Sequence, residues 1–282
     1  MLALRIKSES AEEMLGFYRA VSERTYTLAT LKSSYLPVVL PSYNGSRRQA
    51  NLLPLLALLL SDCGIPVLIH GTLQSNGRVT TASILRELGI LPCANLGQAK
   101  IQLDQRGLAF LPTAVLCPGL TALMSLRDRL GVRNSAHTLA KLLDPFPENN
   151  LRVVNVTHPY YLQKMRGFLV ATGARALLLK GTEGEPFANP KRRPALEFFN
   201  GGNIEILFDV EEGELKNPPA LPDNFNALTT ANWISRVMAH EIAVPQPIIS
   251  QLACCLYGSG YVDDMSQAIA LAAGKSAYLI AA

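Results

Sequence analysis

YLPVVLPSYNGSRRQANLLPLLALLLSDCGIPVLIHG, running from Tyr35 to Gly71, holds two strands and a helix in one continuous stretch. Tyr35 to Leu40 is a short apolar run ending in Pro41, the pattern of a buried strand. Ser42 to Asn51 is polar and contains Asn44-Gly45, so it reads as a loop. The leucine-rich segment to Asp62 then reads as a helix stopped by Gly64, and Pro66 to His70 as a second buried strand. Strands that read as unbroken apolar runs, joined through a helix, predict a parallel sheet of the α/β class.

The same alternation extends both ways. Residues 2–20 read as helical, with Ser10-Ala11-Glu12-Glu13 forming a capping box that starts a second helical stretch. Thr80 to Leu88 predicts a helix closed by Gly89, and residues 118–145 a mostly helical region carrying Arg127, Arg129 and Arg133. Leu151–Val156 and Ala176–Leu179 read as strands around a helix from Pro159 to Thr172. A hairpin is expected at Gly201-Gly202, with an exposed acidic loop after it, then helices over Thr229–Ala239 and Pro247–Tyr257 and an alanine-rich helix. No repeat or low-complexity tract interrupts the chain.

The 282 residues are 49% hydrophobic and 17% charged, which supplies a sizeable core and excludes wholesale disorder. The longest apolar run, Leu52 to Leu60, is too short to cross a bilayer, and the amino terminus has no signal-peptide pattern. Cys63, Cys93, Cys117, Cys254 and Cys255 are odd in number and lack zinc-ligand spacing. They are expected to be buried reduced thiols of a cytoplasmic protein. The net charge of +4 is unevenly spread: residues 197–223 hold seven acids and one base (Lys216), leaving the remainder strongly basic. Such a split allows a positive face with the acidic segment pointing elsewhere.

Several segments, in order, resemble the anthranilate phosphoribosyltransferase family, also called glycosyltransferase family 3. Residues 2–10, LALRIKSES, resemble its "ALRxKGET" turn, and Gly64 to Gly71, GIPVLIHG, its "GxPVxKHG". Leu88-Gly89-Ile90 fits the end of its "ADVLEALGV" helix. Leu130-Gly131-Val132-Arg133 with Leu142-Leu143-Asp144-Pro145 resembles its "LGxRTxFNxLGPLxNP". The likeness runs from residue 2 to about residue 190. It implies a small helical domain (1–31 and about 118–145) and a larger domain (32–117 and 146–282). The larger domain would hold a mainly parallel central sheet flanked by helices, as in nucleoside phosphorylase- and phosphoribosyltransferase-like folds. The ligand cleft would lie between the two. The family's first helix pair is missing from this sequence, although the resemblance implies a homodimer.

The catalytic signatures depart from the family. Where it has the phosphate-cradling "GTGGDGxxTxNIST", this chain has Pro41 through Ser42, Tyr43, Asn44, Gly45 and Ser46 to Arg47 and Arg48. Asn51 matches the motif asparagine, but Leu53-Pro54 stands where Ser-Thr would. Ile69 replaces the lysine of "KHG", Cys117-Pro118 the "HP", and Ala140-Lys141 the Gly-Pro. Glu183-Gly184-Glu185-Pro186 replaces the magnesium-binding "DGxDE". Phosphoribosyl transfer needs a magnesium-neutralised pyrophosphate held in line, so joint loss of these elements predicts no such activity. The combination of motifs resembles the YbiB-like subgroup, which implies sequence-independent binding of single- or double-stranded nucleic acid without a cofactor. An enzyme of the phosphoribosyltransferase or phosphorylase class with an altered substrate is the alternative, and an interaction scaffold using the acidic segment a third.

Arg47, Arg48, Asn51, Arg133, Lys141, Lys191, Arg192 and Arg193 are the candidate phosphate-binding residues, with Tyr43, Asn44 and His70 as further groove candidates. Arg47 and Arg48 lie between a strand end and a helix, where parallel sheets bind ligands. Arg133 and Lys141 are about two helical turns apart and can share a face. Each basic residue also fits ordinary solvated surface. Tyr43 fits either a base-stacking or a packed role, and His70 and His137 fit hydrogen-bonding roles better than catalysis. No catalytic residue and no metal site is expected. No helix-turn-helix, zinc-finger, RNP or KH pattern is present, so sequence readout is not expected.

Overall fold

The computed structural model describes residues 2–147, 149–213, 215 and 220–277. Glu214, Lys216 and residues 217–219 of the acidic segment lie outside the described residues. In chain order the helical entry comprises α1 (Leu2–Lys7) and α2 (Ala11–Ser22). Then follow β1 (Val38–Ser42), α3 (Leu53–Asp62), β2 (Val67–Gly71), α4 (Thr81–Glu87), α5 (Leu96–Arg106) and β3 (Leu108–Pro112). The middle of the chain is short helices: α6 (Thr113–Leu116), α7 (Pro118–Ser125), α8 (Arg127–Leu130) and α9 (Ala136–Leu139), closed by a 3-10 turn at Ala140–Leu142. The sheet resumes with β4 (Leu151–Val156), α10 (Pro159–Ala171), β5 (Ala176–Lys180), β6 (Leu196–Asn200) and β7 (Asn203–Phe208). Three helices end the chain: α11 (Ala227–Met238), α12 (Gln246–Gly258) and α13 (Met265–Ala277).

The strands form one seven-stranded sheet in the order β3-β2-β1-β4-β5-β6-β7. The first five neighbours pair in parallel, with Val38 opposite both Val67 and Leu151, and Val67 opposite Leu108. The β6–β7 hairpin adds an antiparallel edge. Every residue of β1 to β4 is buried, which is why these strands read as apolar runs rather than alternating ones. Successive residues still divide between faces. Val38, Leu40, Ile69, Phe110, Val153 and Leu179 join the core with α3, α4, α11 and α12. Val39, Leu68, Ala109 and Leu111 face the cluster that includes α5 and the short helices, and Val154 and Leu178 face α10. The capping box at Ser10 is present: its hydroxyl accepts from the Glu13 amide at 3.2 Å, and the Glu13 carboxylate accepts from the Ser10 amide at 2.9 Å.

Several expectations need correction. The first strand runs on through Pro41 to Ser42, because β4 pairs only with Val38 and Val39 and makes no demand on the donor that proline lacks. Helix α5 and strand β3 were not among the predicted elements. Asn95 caps α5, accepting from the Gln98 amide, and Gly107 ends it in the left-handed region. The acidic segment is not all exposed loop. Glu197 lies in β6, buried, and accepts two 2.6 Å hydrogen bonds from the Arg166 guanidinium. Cys63 is only half-buried, whereas the other four cysteines are buried.

Candidate functional site: an arginine-lined cleft at the sheet switch point

From β1 the chain winds outward to β2 and β3, and from β4 it winds the other way to β5. The carboxyl ends of β1 and β4 therefore flank the point where the connections part, which is the ligand-binding crevice of an open α/β sheet. A cavity of about 520 Å³ opens there, lined by Asn44, Arg47, Arg48, Arg78, Arg127, Arg133, Thr157 and Glu183. Five arginines and one glutamate line a single space. Arg47 and Arg48 are exposed on the loop after β1, Arg78 is brought in by the loop after β2, and Arg127 and Arg133 by the short helices.

Two cavities adjoin it. One of about 530 Å³ shares Arg127 and extends past Gly71, Thr72, Pro112 and Thr113 at the ends of β2 and β3 to His137. The other, about 190 Å³, shares Arg133 and Thr157 and reaches Lys141, His137 and Asn155.

Two carboxylates of the segment after β5 organise the loop over residues 42–49. Glu183 accepts from the backbone amides of Arg47 (3.1 Å), Arg48 (2.7 Å) and Gln49 (2.9 Å), and it pairs with Arg78 at 3.5 Å. Glu185 is fully buried and accepts from the amides of Asn44 and Gly45, both at 2.7 Å, and from the Ser42 hydroxyl. Glu183 itself sits in the left-handed region at φ 50°, unusual for a residue with a Cβ. At Gly184, φ is 91°, a conformation that favours glycine, and a Cβ there would lie 2.5 Å from the Asn44 side-chain Nδ2.

The sequence candidates fall into four groups. Arg47, Arg48, Asn44 and Arg133 line the cleft. Lys141 lies just behind it, and burial, helped by the Arg133 charge, pushes its ammonium down to about 8. Its Nζ donates to the Asn155 carbonyl at 3.1 Å, and the residue lines the adjoining 190 Å³ cavity rather than the arginine cleft.

Asn51, Tyr43 and His70 are interior structural groups. Asn51 is fully buried just before α3, accepting from the Leu53 amide at 3.2 Å and donating to Thr81 at 3.0 Å. Tyr43 is buried with its hydroxyl and ring edge against His70, and it forms part of the 530 Å³ cavity wall. His70 is held neutral: burial alone lowers it to about 3. His137 is lowered to about 4 by burial and by Arg133.

Lys191, Arg192 and Arg193 do not join the cleft. Arg193 lies 3.9 Å from Glu211 and over the Phe208 ring, and the Lys191 and Arg193 carbonyls accept amides of Leu215 and Glu211. Lys191 and Arg193 are thus tied to the acidic segment. None of the described acids between Glu205 and Gly213 lines the cleft.

Arg78 and Arg127 were missed as site residues. Arg78 follows β2 and Arg127 falls in the helical stretch, so neither stands beside a recognisable motif. A search of the segments that follow each strand's carboxyl end would have found Arg78. Among the described residues no group of three or more metal-ligating side chains is found, and no helix is long and apolar enough to cross a membrane.

No family model matches the chain. It is 42% identical over 271 residues to an uncharacterized protein, YbiB, of Escherichia coli K12, covering 96% of this chain and 84% of that one. It is 31% identical over 183 residues to an anthranilate phosphoribosyltransferase of Prochlorococcus marinus, covering 64% of this chain and 50% of the enzyme. The anthranilate phosphoribosyltransferase of Thermus thermophilus superposes with a TM-score of 0.75 at 22% identity, over 98% of this chain and 83% of that one.

Proposed function

Since this chain belongs to the YbiB family and has the anthranilate phosphoribosyltransferase-like fold of glycosyltransferase family 3, we propose that it binds nucleic acid through the switch-point cleft, with little dependence on sequence, and transfers no phosphoribosyl group. One observation carries the reading: Arg47, Arg48, Arg78, Arg127 and Arg133 from three separate segments converge on one open cavity, with Glu183 the one acidic side chain lining it. Arginine presents a planar fork of donors suited to phosphate oxygens and stays charged at any physiological pH. A row of such groups displaces counterions from a polyphosphate backbone, which supplies most non-specific affinity and makes it fall with salt. Nothing in the lining resembles base-edge readout by a helix or a ribbon. The homodimer belongs to the same proposal.

A second reading is an enzyme of the phosphoribosyltransferase class with an altered substrate. Kinship and the 530 Å³ cavity at the carboxyl ends of β2 and β3 favour it. Titration with single-stranded DNA, RNA and duplex DNA, beside phosphoribosyl pyrophosphate with magnesium, separates the two. The first reading expects salt-sensitive binding of all three nucleic acids. Magnesium-dependent binding of phosphoribosyl pyrophosphate, with none of the nucleic acids bound, would establish the second.

A further inference from the structure

We propose that Glu183 and Glu185 are built-in anions that fill the phosphate nest of the 42–49 loop, and that they thereby exclude orthophosphate and pyrophosphate groups from it. The loop has the form of an anion site. Backbone amides of Asn44 and Gly45 converge on one oxygen of Glu185, and those of Arg47, Arg48 and Gln49 converge on Glu183. Gly45, at φ 66°, supplies the left-handed turn that lets successive amides point inward, and a Cβ there would lie 2.8 Å from the Val79 carbonyl oxygen. Five donors aimed at two neighbouring centres of negative charge is the arrangement a pyrophosphate would otherwise find.

Both carboxylates come from one short strap. Thr182 and Glu185 form an isolated bridge, and the strained turn at Glu183 and Gly184 aims the two side chains at the same loop. Glu185 is fully buried, and an uncompensated charge there would be costly. Its two oxygens meet two amides, the Ser42 hydroxyl and the Thr81 hydroxyl at 3.4 Å. Lys141 lies near enough for its charge to be favoured by Glu185. Glu185 is therefore a fixed part of the interior, and Glu183 closes the outer half of the nest against Arg78. The exposed Arg47 and Arg48 side chains stay open to an outside anion, and they suit an extended polyanion better than a compact one. The plug rests on the hydrogen bonding of the loop and stands whether or not the cleft takes nucleic acid.

Removing a carboxylate should open donors that a small anion can satisfy. The test is thermal unfolding of wild type, Glu185→Ala and Glu183→Ala in sodium chloride, and again with orthophosphate or pyrophosphate at matched ionic strength. Both variants are expected to melt lower than wild type and to regain roughly 5 °C at saturating pyrophosphate, several-fold more than wild type gains. Glu183 lies at the cleft mouth, so Glu183→Ala carries the test if Glu185→Ala does not fold. Equal gains for wild type and variants would show the nest is open already, and no gain in any variant would show it is not an anion site; either overturns the proposal. Oligonucleotide binding is measured on the same proteins. Its absence throughout, with anion rescue intact, would reject the nucleic-acid reading and leave the plug standing.

Discussion

Replacing Arg47 and Arg48 by alanine removes two of the five guanidiniums that line the switch-point cleft. Both side chains are exposed, and the loop is held through backbone amides to Glu183 and Glu185, so the substitution leaves its scaffold in place. Each phosphate contact contributes about 0.7 to 0.9 to the slope of log affinity against log salt. If all five arginines meet phosphates, the wild-type slope is about −3.5 to −4.5, and the double variant loses about 1.4 to 1.8 of it. Between 50 and 200 mM salt the upper figures correspond to a fall of roughly 500-fold for wild type and roughly 40-fold for the variant. The loss should be nearly equal for all sequences, since phosphates carry no base identity. Fluorescence anisotropy of labelled oligonucleotides of two unrelated sequences, at four or more salt concentrations, measures both quantities. An unchanged slope in the double variant would remove Arg47 and Arg48 from the interface, and a sequence-dependent loss would refute the backbone-contact argument.

Other outcomes follow from the same geometry. Arg193→Ala should leave nucleic-acid affinity within about twofold in the same assay, because its guanidinium is turned to Glu211 and Phe208, outside the cleft. Phe110→Ala empties a fully buried strand position and should cost about 3–5 kcal/mol in denaturant unfolding. His70 is buried neutral, with its folded value near 3 against an ordinary 6.5. The unfolded chain therefore takes up a proton first, and stability should fall as pH drops through 6.5 towards 3, being fully present above that window. His70→Gln should flatten that acid limb in urea titrations from pH 7 to 4, and an unchanged limb would contradict the assignment. Assayed with anthranilate, phosphoribosyl pyrophosphate and magnesium, the protein should show no turnover, because Ile69, Cys117-Pro118 and Ala140-Lys141 stand at altered motif positions.

The fold was legible wherever burial acts on both faces of a strand. Tyr35 to Gly71 announced its strands and helix because a doubly covered parallel strand has no polar face to blur the pattern. The β6–β7 hairpin was marked by Gly201-Gly202, both at positive φ. Strand β3 escaped because LAFLP is five residues long and follows a helix whose apolar face is narrow, with only Ala99 and Leu103 buried. At the site, Arg47 and Arg48 were readable from their place between strand and helix. Lys191 to Arg193 shared their charge but not their position, and local sequence gives no sign that Glu211 folds back onto Arg193. Glu183 and Glu185 were visible as a departure from a magnesium motif. Their hydrogen bonds to a loop about 140 residues away are a tertiary fact that no spacing rule encodes.

The central claim is one of place, that nucleic acid lies in the cleft between the carboxyl ends of β1 and β4. Ultraviolet cross-linking of a bound photoreactive oligonucleotide, with the attachment sites mapped by mass spectrometry, tests it most directly. The account predicts cross-links in the loop over residues 43–49 and near Arg78, Arg127, Arg133 and Thr157, all suppressed by high salt. Cross-links confined to Lys191–Arg193 or to the β7 edge, with the cleft residues unmodified, would contradict it.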